Sequence, residues 1–226
     1  MIRKFHASLI AVAVAVLASG ATYAAQQLDK HPRVQAAITD TANDIEATRY
    51  FRALGFSCGV ESWDIKVMRD AAAAAVNLTP TKTNIPTLIA KSGPSGARLQ
   101  PGQAWQLTGT RLIKAKLESD SDVHLVLQST LAGNPTMIAE IPEPGCAGPT
   151  ASAPSGSRVL TQITAARAAF ATQVTDPGSL FNFRTFTPPL SVTLVGIGFV
   201  DFAHGQTGAD LNQIELHPVI SFRRNP

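Results

Sequence analysis

The chain has 226 residues, 19 Lys+Arg against 16 Asp+Glu, a formal charge of +3 and a pI near 9.1. With 45% apolar and 15% charged residues it has the composition of a packed globular protein, which argues against a disordered chain. The basic pI does not make it a polyanion binder as a whole: without Arg3 and Lys4, which lie in a segment expected to be removed, 17 basic residues face 16 acidic ones, so nucleic acid is not supported as a partner.

Residues 1–24 read as a secretory signal. Arg3 and Lys4 form the positive start, Leu9 to Ala18 the apolar stretch, and Ser19, Gly20, Ala21 and Ala24 supply small residues for cleavage. The apolar stretch is shorter than the roughly 20 residues a helix needs to span a bilayer, and no later segment is apolar enough. The expectation is an exported protein, periplasmic or extracellular, without a transmembrane segment. Residues 25–57 read as a helical extension: Pro32 suits a first turn, Val34, Ala37, Ile38, Ile45, Tyr50, Phe51 and Leu54 form an imperfect stripe, and Gly55 is a stop. Residues 58–226 are expected to form one domain. The two cysteines, Cys58 and Cys146, read as a disulfide in an oxidising compartment, and neither lies in a C-x-x-C arrangement that would favour metal.

Within the domain, Trp63, Ile65 and Val67 share one parity and predict a short strand ending near Met68. Ala71 to Ala75 reads as a helical turn, Asn77 to Ala90 as extended or turn-rich around Pro80 and Pro86, and Ser92 to Gly102 as a loop. Ala104 to Leu117 predicts a long strand with Trp105, Leu107, Gly109, Arg111 and Ile113 on one parity. The ESDSD turn follows at Glu118 to Asp122, then strands over Val123–Gln128 and Thr136–Ile141, the last closed by Pro142 and Pro144. Arg158 to Val174 carries Val159, Leu160, Ile163, Ala166 and Phe170 at helical spacing and is stopped by Asp176-Pro177-Gly178. Leu190–Phe202 and Ile214–Phe222 are the last two strands. The order strand, strand, strand, helix, strand, strand predicts a mainly β (α+β) domain: an OB-like five-stranded barrel with one helix between its third and fourth strands.

From Trp63 onward the chain resembles a family of exported bacterial proteins with an IELHPV-type motif near the C-terminus. The resemblance rests on VNLTP (Val76 to Pro80), KLESDSDVHLVL (Lys116 to Leu127), TMIAEIPEPGC (Thr136 to Cys146), GFVDFAHGQTG (Gly198 to Gly208) and NQIELHPV (Asn212 to Val219). It implies a shared fold and brings no activity with it.

Strand parity singles out one polar group. Glu215 and His217 are two apart and point to the same face; so do Asp122 and His124; Asp201 and His204 sit at the end of the preceding strand. If the strand ends converge, these six residues offer imidazole and carboxylate ligands for zinc or another divalent transition metal, and a metal-dependent hydrolase such as a phosphodiesterase or nuclease follows. The competing reading makes them structural: Pro218 breaks pairing beside His217, and Asp122 stabilises a turn. Neither H-E-x-x-H nor G-x-S-x-G occurs. The expected role is a non-enzymatic binding or structural module for an unidentified ligand, without a cofactor. Lys114 and Lys116 share a face, Arg111 would join them only across a bulge, and Phe181, Phe183 and Phe186 interleave with Arg184.

Overall fold

The computed structural model describes residues 58–59, 61–174, 182–203 and 205–226. The expected signal segment, the helical extension, His204, Phe181 and the Asp176-Pro177-Gly178 stop lie outside the described residues. The predicted strand after Cys58 is instead a helix, α1 (Trp63–Lys66). Trp63 and Val67, four apart, are both buried, so the helical period wins over the alternation that the same residues also satisfy. The alanine run forms a 3₁₀ turn (Ala71–Ala75). Strand β1 (Asn77–Thr83) follows, then helix α2 (Ile85–Ile89), whose Asn84 side chain accepts a hydrogen bond from Thr87 N at 2.9 Å. The predicted loop contains a two-residue strand, β2 (Ala97–Arg98).

Five longer elements build the body: β3 (Gln103–Leu117), β4 (Val123–Ser129), β5 (Thr136–Ile141), β6 (Arg184–Val200) and β7 (Ile214–Arg224), with helix α3 (Leu160–Gln173) between β5 and β6. The protein is mainly β. Among the described residues one seven-stranded sheet runs β1-β3-β4-β5-β7-β6-β2, and β3 also pairs with β6. The β1–β3 and β5–β7 pairs are parallel and the others antiparallel.

Strand β3 departs from a single parity. Trp105 and Leu107 are buried, then Thr110 and Leu112, then Ala115 and Leu117, because its register against β6 shifts between Leu107 and Thr110 and again between Leu112 and Lys114. The first shift falls at Gly109, whose φ is +61°, and a Cβ there would sit 2.9 Å from Thr130 Oγ1. The second shift puts Arg111 on the same outward face as Lys114 and Lys116, since Leu112 and Ala115 bury on either side of it. Strand β7 runs through Pro218, as the expected strand over Ile214–Phe222 does, so Pro218 does not end pairing beside His217. Its register against β6 slips on both sides of Gly196, which absorbs the donor that proline lacks. A Cβ at Gly196 would lie 2.8 Å from Leu216 Cβ and 3.0 Å from Pro218 O, so glycine is what lets the two backbones approach.

Two apolar clusters result. The larger holds Leu107, Leu112, Leu125, Leu127, Met137, Ala139, Leu194, Leu216 and Phe222 from the sheet, with Ala166 and Phe170 of α3. The Phe170 and Phe222 rings meet edge to face at 5.2 Å. The smaller joins Trp63, Val67, Met68, Val76 and Ile163 to Cys146 and Ile220. Cys58 and Cys146 form the expected disulfide, with Cα atoms 5.5 Å apart. Beside it Trp63 Nε1 donates to Cys146 O at 3.1 Å and Arg69 Nη1 to Gly148 O at 3.0 Å, fastening α1 to the end of β5. No helix among the described residues is long and apolar enough to cross a membrane.

Candidate functional site

Alternation along β4, β5 and β7 sends Leu125, Ala139 and Leu216 into the larger core and His124, Glu140, Glu215 and His217 to the opposite face. The antiparallel register places His124 directly across from Glu140, and the parallel register places Ile138 beside Glu215, so Glu140 arrives next to His217. His217 is the hub. Its Nδ1 lies 2.9 Å from Glu140 Oε2 and 3.2 Å from Glu215 Oε1, and its Nε2 lies 3.4 Å from Asp122 Oδ2. The parity expected of Glu215 and His217 therefore holds, and Asp122 joins them. His124 belongs to the same group through Glu140: its Nδ1 lies 3.2 Å from Glu140 Oε1 and 3.3 Å from Glu118 Oε1, while Nε2 is 3.1 Å from Thr207 O. Asp201 touches neither histidine in this arrangement but accepts Lys66 Nζ at 3.2 Å, and the same ammonium stands 3.8 Å from Glu215.

The cluster is closed off. His124 and Asp122 are fully buried, and Glu140, Glu215, His217 and Asp201 are 1–2% exposed. The Trp63 and Phe199 rings face His217 at 6.0 and 6.4 Å, and the Lys66 ammonium lies over Phe199 at 5.2 Å. A shallow recess beside the cluster is lined in part by Asp201, Gln206, Gln213 and Glu215. Below the cluster, Asp122 Oδ1 accepts Glu143 N at 3.0 Å. Arg167, buried on α3, donates to Ile141 O at 2.8 Å and Ser121 O at 2.9 Å and lies 3.4 Å from Glu143 Oε2.

Burial and charge set the protonation states in opposite directions. Burial alone would lower both histidines. For His217 the Asp122, Glu140 and Glu215 carboxylates outweigh it and hold the imidazole well above its ordinary value; for His124, Glu118 and Glu140 raise it to about 10. Burial would raise Glu140, but the two histidines win and keep it well below the usual carboxylate range. Burial and the Glu140 charge lift Glu215 to about 7, and burial raises Asp122 despite His217. Burial opposes the Lys66 ammonium, yet Glu215, Glu140 and Asp201 together raise it. The result is a set of buried cations threaded between carboxylates, most ligating atoms already facing an internal partner.

Lys66, Glu118, Glu140, Glu143 and Arg167 were not singled out by the sequence reading. Glu140 carried a usable signal: the tight turn after β4 fixes a hairpin register in which it opposes His124. Lys66 was hidden because its helix reads as a strand.

On the outward face beside the cluster, Lys116 pairs across strands with His124, and Lys114 with Val126. The Phe183 ring lies 4.8 Å from the Lys116 ammonium, 5.9 Å from that of Lys114, and edge to face with His124 at 5.3 Å. Phe186 is buried, with the Arg184 guanidinium 5.5 Å from its ring. Comparison with protein-family models, curated proteins and solved structures found no match in any of the three.

Proposed function

We propose that the protein is an exported, non-enzymatic binding or structural module built on an OB-like barrel. The barrel reading is supported by the pairings β3–β4–β5–β7–β6, which return from β6 to β3 with α3 inserted after the third strand of the ring. Export is supported by the signal-like start of the sequence and by a disulfide.

The observation that carries the non-enzymatic reading is the state of His217. It is 1% exposed, and both its ring nitrogens face carboxylates of the same chain. A general base or a catalytic ligand needs a side that substrate or water can reach; this imidazole is enclosed. The cluster instead cross-links β4, β5 and β7 with the turn after β3 and with α1. Such barrels bind along the outer faces of their second and third strands and through the adjoining loops, and here part of that face is filled by the cluster. The flanking strip of Arg111, Lys114 and Lys116 with Phe183 remains, and its chemistry fits an anionic ligand.

Retention on heparin–agarose tests this reading. The mature protein should be held at low ionic strength and released by salt, and the double variant Arg111→Glu/Lys114→Glu should pass through unretained. A mature protein that flows through at low salt would remove the anionic ligand.

A metal-dependent hydrolase is the second reading, favoured by two groups of donor atoms, Glu118/His124/Glu140 and Asp122/Glu140/His217, each within 4.8 Å of one another. Metal-dependent cleavage of bis(p-nitrophenyl) phosphate, lost in His217→Gln with folding intact, would replace the module reading.

A further inference from the structure

His124 poses a question that the rest of the cluster does not. Its Nε2 lies 3.1 Å from the Thr207 carbonyl oxygen, which can only accept, so Nε2 carries the hydrogen. Nδ1 then faces two carboxylate oxygens, Glu140 Oε1 at 3.2 Å and Glu118 Oε1 at 3.3 Å. Neither contact has hydrogen-bond geometry: Nδ1 of His124 and Oε1 of Glu140 are both buried without a hydrogen-bond partner. Buried polar atoms left in this state call for a missing partner.

A cation between them would satisfy both buried atoms and take Glu118 Oε1 as a third ligand. In a tetrahedral zinc site with bonds near 2.0–2.1 Å, neighbouring ligand atoms stand about 3.3 Å apart. The two separations from His124 Nδ1 are 3.2 and 3.3 Å, and all three atoms lie within 4.8 Å of one another. The Thr207 carbonyl is the outer partner that a metal-bound imidazole commonly has on its other nitrogen, fixing tautomer and ring orientation. Glu118 is the least buried of the three, its side chain 17% exposed against 1% and 3% for His124 and Glu140, so an ion would reach the group from the Glu118 side.

We propose that Glu118 Oε1, His124 Nδ1 and Glu140 Oε1 form a site for a divalent transition metal of the zinc class, at the solvent-facing corner of the buried cluster. The site does not depend on the module reading and fits a structural ion there. Its internal competitor is also visible. Lys116 Nζ sits 2.8 Å from Glu118 Oε1, so the ammonium occupies the oxygen that the metal needs and must swing aside.

That competition supplies the discriminating test. Untagged mature protein, stripped with chelator, is titrated with Co²⁺ and followed by its visible d–d absorption, then with Zn²⁺ in competition. The site predicts saturation at one equivalent, displacement by zinc, binding weaker in Glu118→Gln by at least the roughly 10-fold that loss of even an outer partner costs, and tighter binding in Lys116→Met. Glu118 and Lys116 lie at the edge of the cluster, and circular dichroism of both variants confirms folding. No saturable cobalt uptake, or uptake equal in the wild type, Glu118→Gln and Lys116→Met, would overturn the proposal and leave a second proton on His124 as the missing partner.

Discussion

Replacing Arg167 with methionine should be among the most damaging single changes in the domain. The guanidinium is 2% exposed and donates to Ile141 O and Ser121 O, tying α3 at once to the end of β5 and to the turn after β3. Hydrogen bonds to a charged group contribute about 1.5–3 kcal/mol each. Methionine keeps much of the buried stem but leaves two buried carbonyls without these donors and takes the cation from Glu143, 3.4 Å away. Loss of one partner from such a buried arrangement costs about 3–5 kcal/mol. With a urea slope of about 2 kcal/mol per molar, the midpoint should fall by about 1.5–2.5 M. Arg167→Lys should lie between, since one ammonium cannot span both carbonyls as the planar fork does. The assay is equilibrium urea unfolding of the oxidised protein by tryptophan fluorescence. A fall in midpoint below about 0.5 M for the methionine variant, on the same slope, would refute the view that α3 is held through this side chain.

Two further effects should be measurable. Replacing Cys58 and Cys146 with serine opens a bridge between residues 88 apart, and chain-entropy arguments put the loss at about 4–5 kcal/mol; a paired thermal and urea melt checks it. Stability of metal-free protein should fall between pH 5.5 and 8.5. Glu215, lifted to about 7, and His217, held well above 6.5, both keep a proton in the folded chain that the unfolded chain releases, from about pH 4.5 and about pH 6.5 respectively. Their stabilising effect is complete below those values and is lost as pH rises. Glu140, held low, works the other way and loses its contribution only in acid. Urea midpoints equal at the two pH values, or higher at 8.5, would contradict these assignments.

Much of the mainly β architecture was legible because its strands are long and bounded by clear turns. The ESDSD turn before β4 and the prolines Pro142 and Pro144 after Ile141 delimit β4 and β5 closely. What was not legible depends on register rather than pattern. The slip in β3 between Leu112 and Lys114, which brings Arg111 beside Lys114, leaves no mark in the residue order, whereas the earlier one falls at Gly109. Trp63 to Val67 satisfies periods of 2 and 3.6 at once, and only burial against Cys146 and Ile163 decides for the helix. For the site, parity alone joined Glu215 to His217. It could not supply Glu140, a lone acid in an otherwise apolar strand whose two faces are both buried, because its partners come from the neighbouring strands on either side. Asp201 meets Lys66, a residue that the strand reading of its segment kept out of view, while His204 lies outside the described residues.

The role proposed for the histidine–carboxylate cluster is to hold the fold rather than to carry out a reaction. Its most direct test is the stability of His217→Gln measured alongside heparin retention. Glutamine is close in size and neutral, so Asp122, Glu140 and Glu215 lose their shared cation while the outer strip of Arg111, Lys114 and Lys116 is untouched. The account predicts a loss of about 3–5 kcal/mol in urea unfolding, with retention by the folded fraction unchanged. Unchanged stability together with lost binding or activity would place His217 in a working site and contradict it.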